Sequence, residues 1–137
     1  MRGLMHHLDL TVQDLGRSTP FYSAVLSFLG YRLTRDDETG LEWDLKLLPH
    51  WVCSIGIKPA RSERAHDRYS CGLHHFAWNA DSRDDVDRLH ASLLEIGTTI
   101  LDAPAEYPQY GTGYYAVFFA DPDGLKFEFV HFPGGAT

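Results

Sequence analysis

The strongest constraint on this chain is an internal repeat. The segment LMHHLDLTVQD from Leu4 matches LHHFAWNADS from Leu73, so His6 and His7 fall on His74 and His75. A helix-like run follows each segment and ends in glycine: FYSAVLSFLG at Gly30 and VDRLHASLLEIG at Gly97. The two histidines are 68 residues apart and the two glycines 67, so the register barely drifts. Self-similarity at fixed spacing is the mark of a duplicated supersecondary unit.

Each copy reads as strand, helix and three strands. The first helix has Ser18 or Thr19 as its expected cap, with Pro20 in the first turn and apolar Phe21, Val25, Phe28 and Leu29 at helical spacing. The second has Ser82 as cap and Val86, Leu89, Leu93 and Leu94 as its buried stripe. Gly30 and Gly97 suit the left-handed position after a helix. Strands are expected at 31–34, 41–47 and 52–58 in the first copy, and at 98–101, 114–120 and 125–131 in the second. Asp121-Pro122-Asp123-Gly124 forms the turn before the last of these. The long segment from Asp102 to Gly113, rich in Pro, Gly and Tyr, reads as a loop. One βαβββ unit alone leaves a sheet face bare. The expected fold is therefore α+β: two paired βαβββ modules forming a curved mixed sheet, a single domain over 1–137. Module one spans about 4–59, the linker about 60–70 and module two about 71–132.

Alternation along a strand assigns the faces. Leu8, Leu10 and Val12 pack under the first helix, which turns His7, Asp9 and Thr11 the other way. Phe76 and Trp78, with His74 in phase, face the second helix, which turns His75, Ala77 and Asn79 away. Leu125, Phe127 and Phe129 do the same, leaving Lys126, Glu128 and Val130 on the concave side. His7, His75 and Glu128 thus share one expected surface. Each histidine alone reads more simply as a structural side chain. Their equivalence under the repeat, and the acid joining them, point to a facial set for one divalent transition metal, with coordination positions left open. Asp9 and Asn79 are placed to orient those ligands from behind. Trp43, Trp51, Tyr110, Tyr114 and Phe118 are the expected substrate-binding residues, with Tyr107 and Tyr110 on a segment that reads equally as a cover over a ligand and as an ordered surface loop.

Composition excludes several classes. The formal net charge is -7, and the one basic cluster, KPARSERAHDR, also carries Glu63 and Asp67. A nucleic-acid partner is not expected. No run reaches the ~20 apolar residues that span a bilayer, and the N-terminus lacks a signal-like apolar core, so a cytoplasmic protein without a membrane partner is expected. Cys53 and Cys71 form neither a disulfide framework nor a CxxC pair.

HLDLTVQDL with FY and LG after it, HHFAWNAD, and FFADPDGLKFEFVH together resemble the vicinal oxygen chelate superfamily. That group contains glyoxalase I, extradiol dioxygenases, and fosfomycin- and bleomycin-resistance proteins. The resemblance runs from about Leu4 to Phe132, and DPDG-x-K-x-E-F is its most specific part. It implies the paired βαβββ fold, frequently as a homodimer, and a divalent metal (Fe2+, Zn2+, Mn2+ or Ni2+) with His7, His75 and Glu128 at the family's ligand positions. Glyoxalase I-type members carry a fourth ligand in the fourth strand. Here that alignment pairs Glu128 with Ile55, and WVCSIGIK offers no carboxylate. Extradiol dioxygenases usually carry a Tyr acid/base ten residues before the Glu, where this chain has Phe118. The resemblance implies a metal-dependent enzyme acting on a small oxygen-bearing substrate, by dioxygenase-like or by lyase or isomerase chemistry. The other family outcome is metal-free drug sequestration of bleomycin-resistance type, whose members typically lose the metal ligands.

Overall fold

The computed structural model describes residues 2–134. Its elements are β1 (His7–Val12), α1 (Leu15–Phe28), β2 (Arg32–Asp37), β3 (Gly40–Leu48), β4 (Trp51–Pro59), β5 (Phe76–Asn79), α2 (Arg83–Glu95), β6 (Thr99–Glu106), a 3-10 turn at Pro108–Tyr110, β7 (Tyr115–Ala120) and β8 (Lys126–His131). The chain divides into two compact units between Arg64 and Ala65.

Each unit is a four-stranded mixed sheet with one helix. The strand orders are β1-β4-β3-β2 and β5-β8-β7-β6. In both, the first strand pairs parallel with the last and the other pairings are antiparallel. The two units share one topology, βαβββ, as the repeat requires.

Burial alternates along β1 and β5, the first strand of each unit. In β1, Leu10 and Val12 are buried while His7, Asp9 and Thr11 are exposed. The core of unit 1 joins Phe21, Tyr22, Val25 and Leu26 of α1 to Trp43, Ile55 and Ile57 of the sheet. The core of unit 2 joins Val86, Leu89 and Leu93 of α2 to Val117, Phe119, Phe127 and Phe129, and Trp78 stacks on Phe127 with ring centroids 5.0 Å apart. Each such side chain contributes about 1.5–3 kcal/mol by leaving water. Leu94, expected in the stripe, faces solvent.

Two local expectations change. Helix α1 begins a turn earlier than Ser18, because Asp14 caps it: its carboxylate accepts from the Arg17 N–H at 2.8 Å. A carboxylate both satisfies an orphan donor and complements the positive helix end. Pro20 therefore lies inside the helix rather than in its first turn. Helix α2 keeps its expected cap, with Ser82 accepting from the Asp85 N–H. The second change is β6, which continues through Pro104 to Glu106 into the expected loop. It is an edge strand, where a residue without an N–H costs no ladder bond, and its pairing with β7 shifts register on either side of Asp102. Gly30 and Gly97 take φ of 90° and 71° after their helices, as expected. Among the described residues no helix is long and apolar enough to cross a membrane.

Candidate functional site

Unit 2 carries a cavity of about 300 Å³ on the sheet face opposite α2. Its floor is Phe118 and Glu128, which lie side by side across the β7–β8 pairing. Tyr107, Tyr110 and Tyr114 wall one side, His74 and His75 another, and Asp102 and Lys126 complete the lining.

The tyrosine wall is held by its own backbone. Tyr107 N–H donates to the Tyr114 carbonyl at 2.9 Å, Tyr110 N–H to the Tyr107 carbonyl at 3.0 Å, and Tyr114 N–H to the Gly111 carbonyl at 3.2 Å. The Tyr107 and Tyr110 rings stack at 5.8 Å, and Tyr107 stands edge-on to Phe118 at 5.3 Å. Leu101, Tyr107, Tyr114 and Phe132 pack on Ala116, Phe118 and Val130, an apolar layer on the face that α2 leaves free.

Glu128 is the buried acid of this layer. Its side chain is 4% exposed. Such a carboxylate is costly without partners, and it has two. The Tyr114 hydroxyl donates to Oε1, and His75 Nε2 lies 3.3 Å from Oε2. That separation is long for a charge-assisted hydrogen bond, which runs to ~2.7–2.9 Å. It fits two donors on one ion: ligands ~2.1 Å from a common centre, at angles between right and tetrahedral, stand ~3.0–3.4 Å apart.

The histidine is also engaged at its other ring nitrogen. His74 Nδ1 and His75 Nδ1 are 2.7 Å apart, one donating to the other, so only Nε2 of His75 is left to face Glu128. Desolvation first, then the nearby His75, Lys126 and Arg68 charges, lowers the His74 pKa. In unit 1 the same bond recurs between His6 and His7, with Nδ1 atoms 2.9 Å apart. In metal sites, a hydrogen bond on the far ring nitrogen fixes the tautomer and aims the ligating one. Burial raises the Tyr114 pKa, and its bond to Glu128 raises it further. Burial, then the Asp102 charge, raises that of Tyr107. Both hydroxyls are neutral donors at neutral pH.

The other expected site residues fall as follows. His7 is exposed at the start of β1, in unit 1. Among the described residues, no group of three or more His, Cys, Asp or Glu side chains is placed to hold a metal ion; His75 and Glu128 form a pair. Tyr110, Tyr114 and Phe118 line the cavity. Trp43 does not serve a ligand surface: it is 1% exposed, opposite Ile55 on the core face of unit 1. Trp51 is exposed at the first position of β4. Asn79 is exposed on β5 opposite Val130, outside the cavity lining. Asp9 pairs with Lys58, Oδ2 to Nζ at 2.9 Å, rather than backing a ligand histidine. His74 joins the cavity although its phase assigned it to the core. Strand β5 starts at Phe76, so alternation does not extend back to it. Lys126 shares the inward phase of Glu128 and lines the cavity, a role that phase alone does not mark. Asp102 had no signal, because its segment read as loop.

The ladder also corrects one alignment. Asp9 pairs with Gly56 and Ala77 with Glu128. Asp9 and Ala77 are repeat mates, so the counterpart of Glu128 is Gly56. Ile55, one residue away, points to the core.

Comparison with known proteins agrees with this architecture. The profile of the Glyoxalase/Bleomycin resistance protein/Dioxygenase superfamily matches residues 4–129. The uncharacterized protein YqjT of Bacillus subtilis (strain 168) is 33% identical over 126 residues, covering 92% of this chain and 97% of its own. A crystal structure from Bacillus halodurans, provisionally described as a glyoxalase, superposes with a TM-score of 0.80 at 28% identity, covering 95% of this chain and 96% of its own. A glyoxalase/bleomycin resistance protein from Albidiferax ferrireducens T118, at 24% identity and a TM-score of 0.71, covers 93% of this chain and 98% of its own and shares the fold. With the duplicated βαβββ units, the match over nearly the whole chain makes this protein a member of the Glyoxalase/Bleomycin resistance protein/Dioxygenase superfamily.

Proposed function

We propose that the chain is a metal-dependent enzyme in which His75 and Glu128, completed by His7, hold one divalent transition-metal ion and act on a small oxygen-bearing substrate. The observation that carries the reading is the 3.3 Å approach of His75 Nε2 to the buried Glu128 Oε2, with Nδ1 of the same ring already engaged. Such an ion supplies Lewis acidity, lowering the pKa of the oxygens bound to it. The chain's own residues do the rest. Tyr114 holds one Glu128 oxygen by hydrogen bonding and leaves the other facing His75. His74 engages Nδ1 of His75 and so orients its ring. Tyr107 and Tyr110 shelter the cavity from water, which strengthens the electrostatics inside. Dioxygenase-like and lyase or isomerase chemistry both suit this arrangement, and a homodimer is the assembly proposed.

The test is metal counting on purified protein equilibrated with Fe2+, Zn2+, Mn2+ or Ni2+. One ion per chain is expected for the wild type, with marked loss in His75→Ala, Glu128→Gln and His7→Ala. Equal retention by all four proteins would refute the site. Oxygen uptake with catechols under Fe2+ separates the dioxygenase reading, and a hemithioacetal assay the lyase. A second reading, metal-free ligand sequestration, is favoured by the aromatic walls around only two donors in unit 2. Tight binding of a bulky ligand to metal-free protein, with no metal uptake, selects it.

A further inference from the structure

The cavity holds a cation that the proposed chemistry does not use. Lys126 lines it, and its Nζ stands 4.7 Å from the centroid of the Phe118 ring on the floor. Among the described residues no carboxylate pairs with this ammonium, although Asp102 and Glu128 share the cavity. The other surface lysine-type contact, Lys58 with Asp9, shows how such a group is usually satisfied. Residues two apart on a strand share a face about 6.6 Å apart, so the Lys126 and Glu128 positions are separated by roughly one substituted benzene ring. Above them, Tyr110 stacks on Tyr107, meets Tyr114 edge-on at 5.3 Å and is still 60% exposed.

We infer that this cavity takes a planar aromatic acid: the Lys126 ammonium reads the anionic group, the Tyr107 and Tyr110 rings cover the ring, and the group para to the acid points to the His75–Glu128 pair. The inference rests on this cavity being the ligand site, but not on a metal being bound there. A half-buried point charge discriminates between an anion and its neutral isostere, because the isostere leaves it unpaired. The aromatic wall discriminates by shape, and about 300 Å³ suits one ring better than a fused system.

The experiment compares 4-hydroxybenzoate with 4-hydroxybenzamide by calorimetric titration, on full-length protein, metal-free and metal-loaded. The wild type is expected to bind the acid at least fivefold more tightly than the amide in both states. Lys126→Met is expected to bring that ratio near one while leaving amide binding intact, which also reports a folded pocket. Lys126→Gln serves if the Met variant does not fold. Tyr110→Ala should weaken both probes alike. An unchanged ratio in the Lys126 variants, or no binding of either probe by the wild type, overturns the inference. Preference seen only with metal, and kept without Lys126, assigns the anion to the metal and also overturns it. Preference in metal-free protein that takes up no ion leaves this inference standing and removes the metal reading instead.

Discussion

Tyr114→Phe removes one oxygen from the protein and isolates what holds Glu128. The hydroxyl donates to a carboxylate whose side chain is 4% exposed. A hydrogen bond to a charged group contributes ~1.5–3 kcal/mol, and an acceptor left short of donors in a buried place costs most of that on removal. His75 remains as a partner at 3.3 Å, so the expected loss is about 2 kcal/mol in metal-free protein. With a urea slope of ~1–2 kcal/mol/M for a unit of this size, the midpoint falls by ~1–2 M. Near-ultraviolet circular dichroism follows the tyrosine wall of unit 2 together with Trp43, Tyr22 and Tyr31 of unit 1, and its agreement with the far-ultraviolet curve tests whether the two units unfold together. A metal ion bound beside Glu128 offsets its charge, so the loss should shrink in metal-loaded protein. The pairing of Tyr114→Phe with Glu128→Gln in a double-mutant cycle should give a coupling of at least 1 kcal/mol. A loss under ~0.5 kcal/mol with no coupling would mean that the hydroxyl does not stabilise the carboxylate, and the account of Glu128 given above would fail.

Three further outcomes are expected. His74→Phe removes the Nδ1 partner of His75 while keeping a ring at that position, and metal affinity should drop about tenfold, read by competition with a chelating dye; His90→Phe, on the helix, should leave it unchanged. Gly56→Ala would place a Cβ 2.4 Å from Asp9 Oδ1, at the end of a movable side chain. The expected cost is under ~1 kcal/mol, the value of the exposed Asp9–Lys58 pair that it displaces, and it should vanish in a Lys58→Met background. Tyr115 donates to Asp87 at 2.7 Å, and that bond, ahead of burial, raises the phenol's pKa. A raised folded value means its stabilisation is complete below the unfolded value near 10 and is lost as pH climbs through the folded one. Asp87→Asn should therefore flatten the fall in stability above pH ~10, measured by chemical denaturation across that range.

The fold was legible because it rests on the repeat and on period-two burial, signals that tertiary context strengthens. What escaped the sequence was set by position within the sheet. Pro104 breaks a central strand but not an edge one, and nothing local marks β6 as an edge. Asp14 outcompetes Ser18 as a cap because a carboxylate is the stronger acceptor at a positive helix end, a contest that spacing alone does not decide. Trp43 reads as a pocket aromatic by type, yet β3 turns it under α1 with Ile55. His74 lies two residues before β5 begins, where strand alternation no longer assigns a face.

The corrected ladder also says how duplication became a site. In unit 2 the parallel pair is Ala77 with Glu128; in unit 1 it is Asp9 with Gly56. The acid has changed strands between copies. In unit 2 it reaches from β8 past a small residue on β5 to meet His75. In unit 1 it sits on β1 itself, lies over the bare Gly56, and is neutralised by Lys58 from the same strand as that glycine. Both copies keep the doubled histidine with its Nδ1–Nδ1 bond. Only unit 2 keeps its acid unneutralised by a lysine, since Lys126 stands over Phe118 instead. The asymmetry is testable by exchange. Gly56→Glu combined with Asp9→Ala recreates the unit 2 pattern in unit 1. If a carboxylate on the last strand beside a paired histidine is what makes a metal donor set, that double variant should gain metal affinity relative to Asp9→Ala alone. Equal affinity in the two would mean that register and partner choice, as read from these strands, do not determine the site.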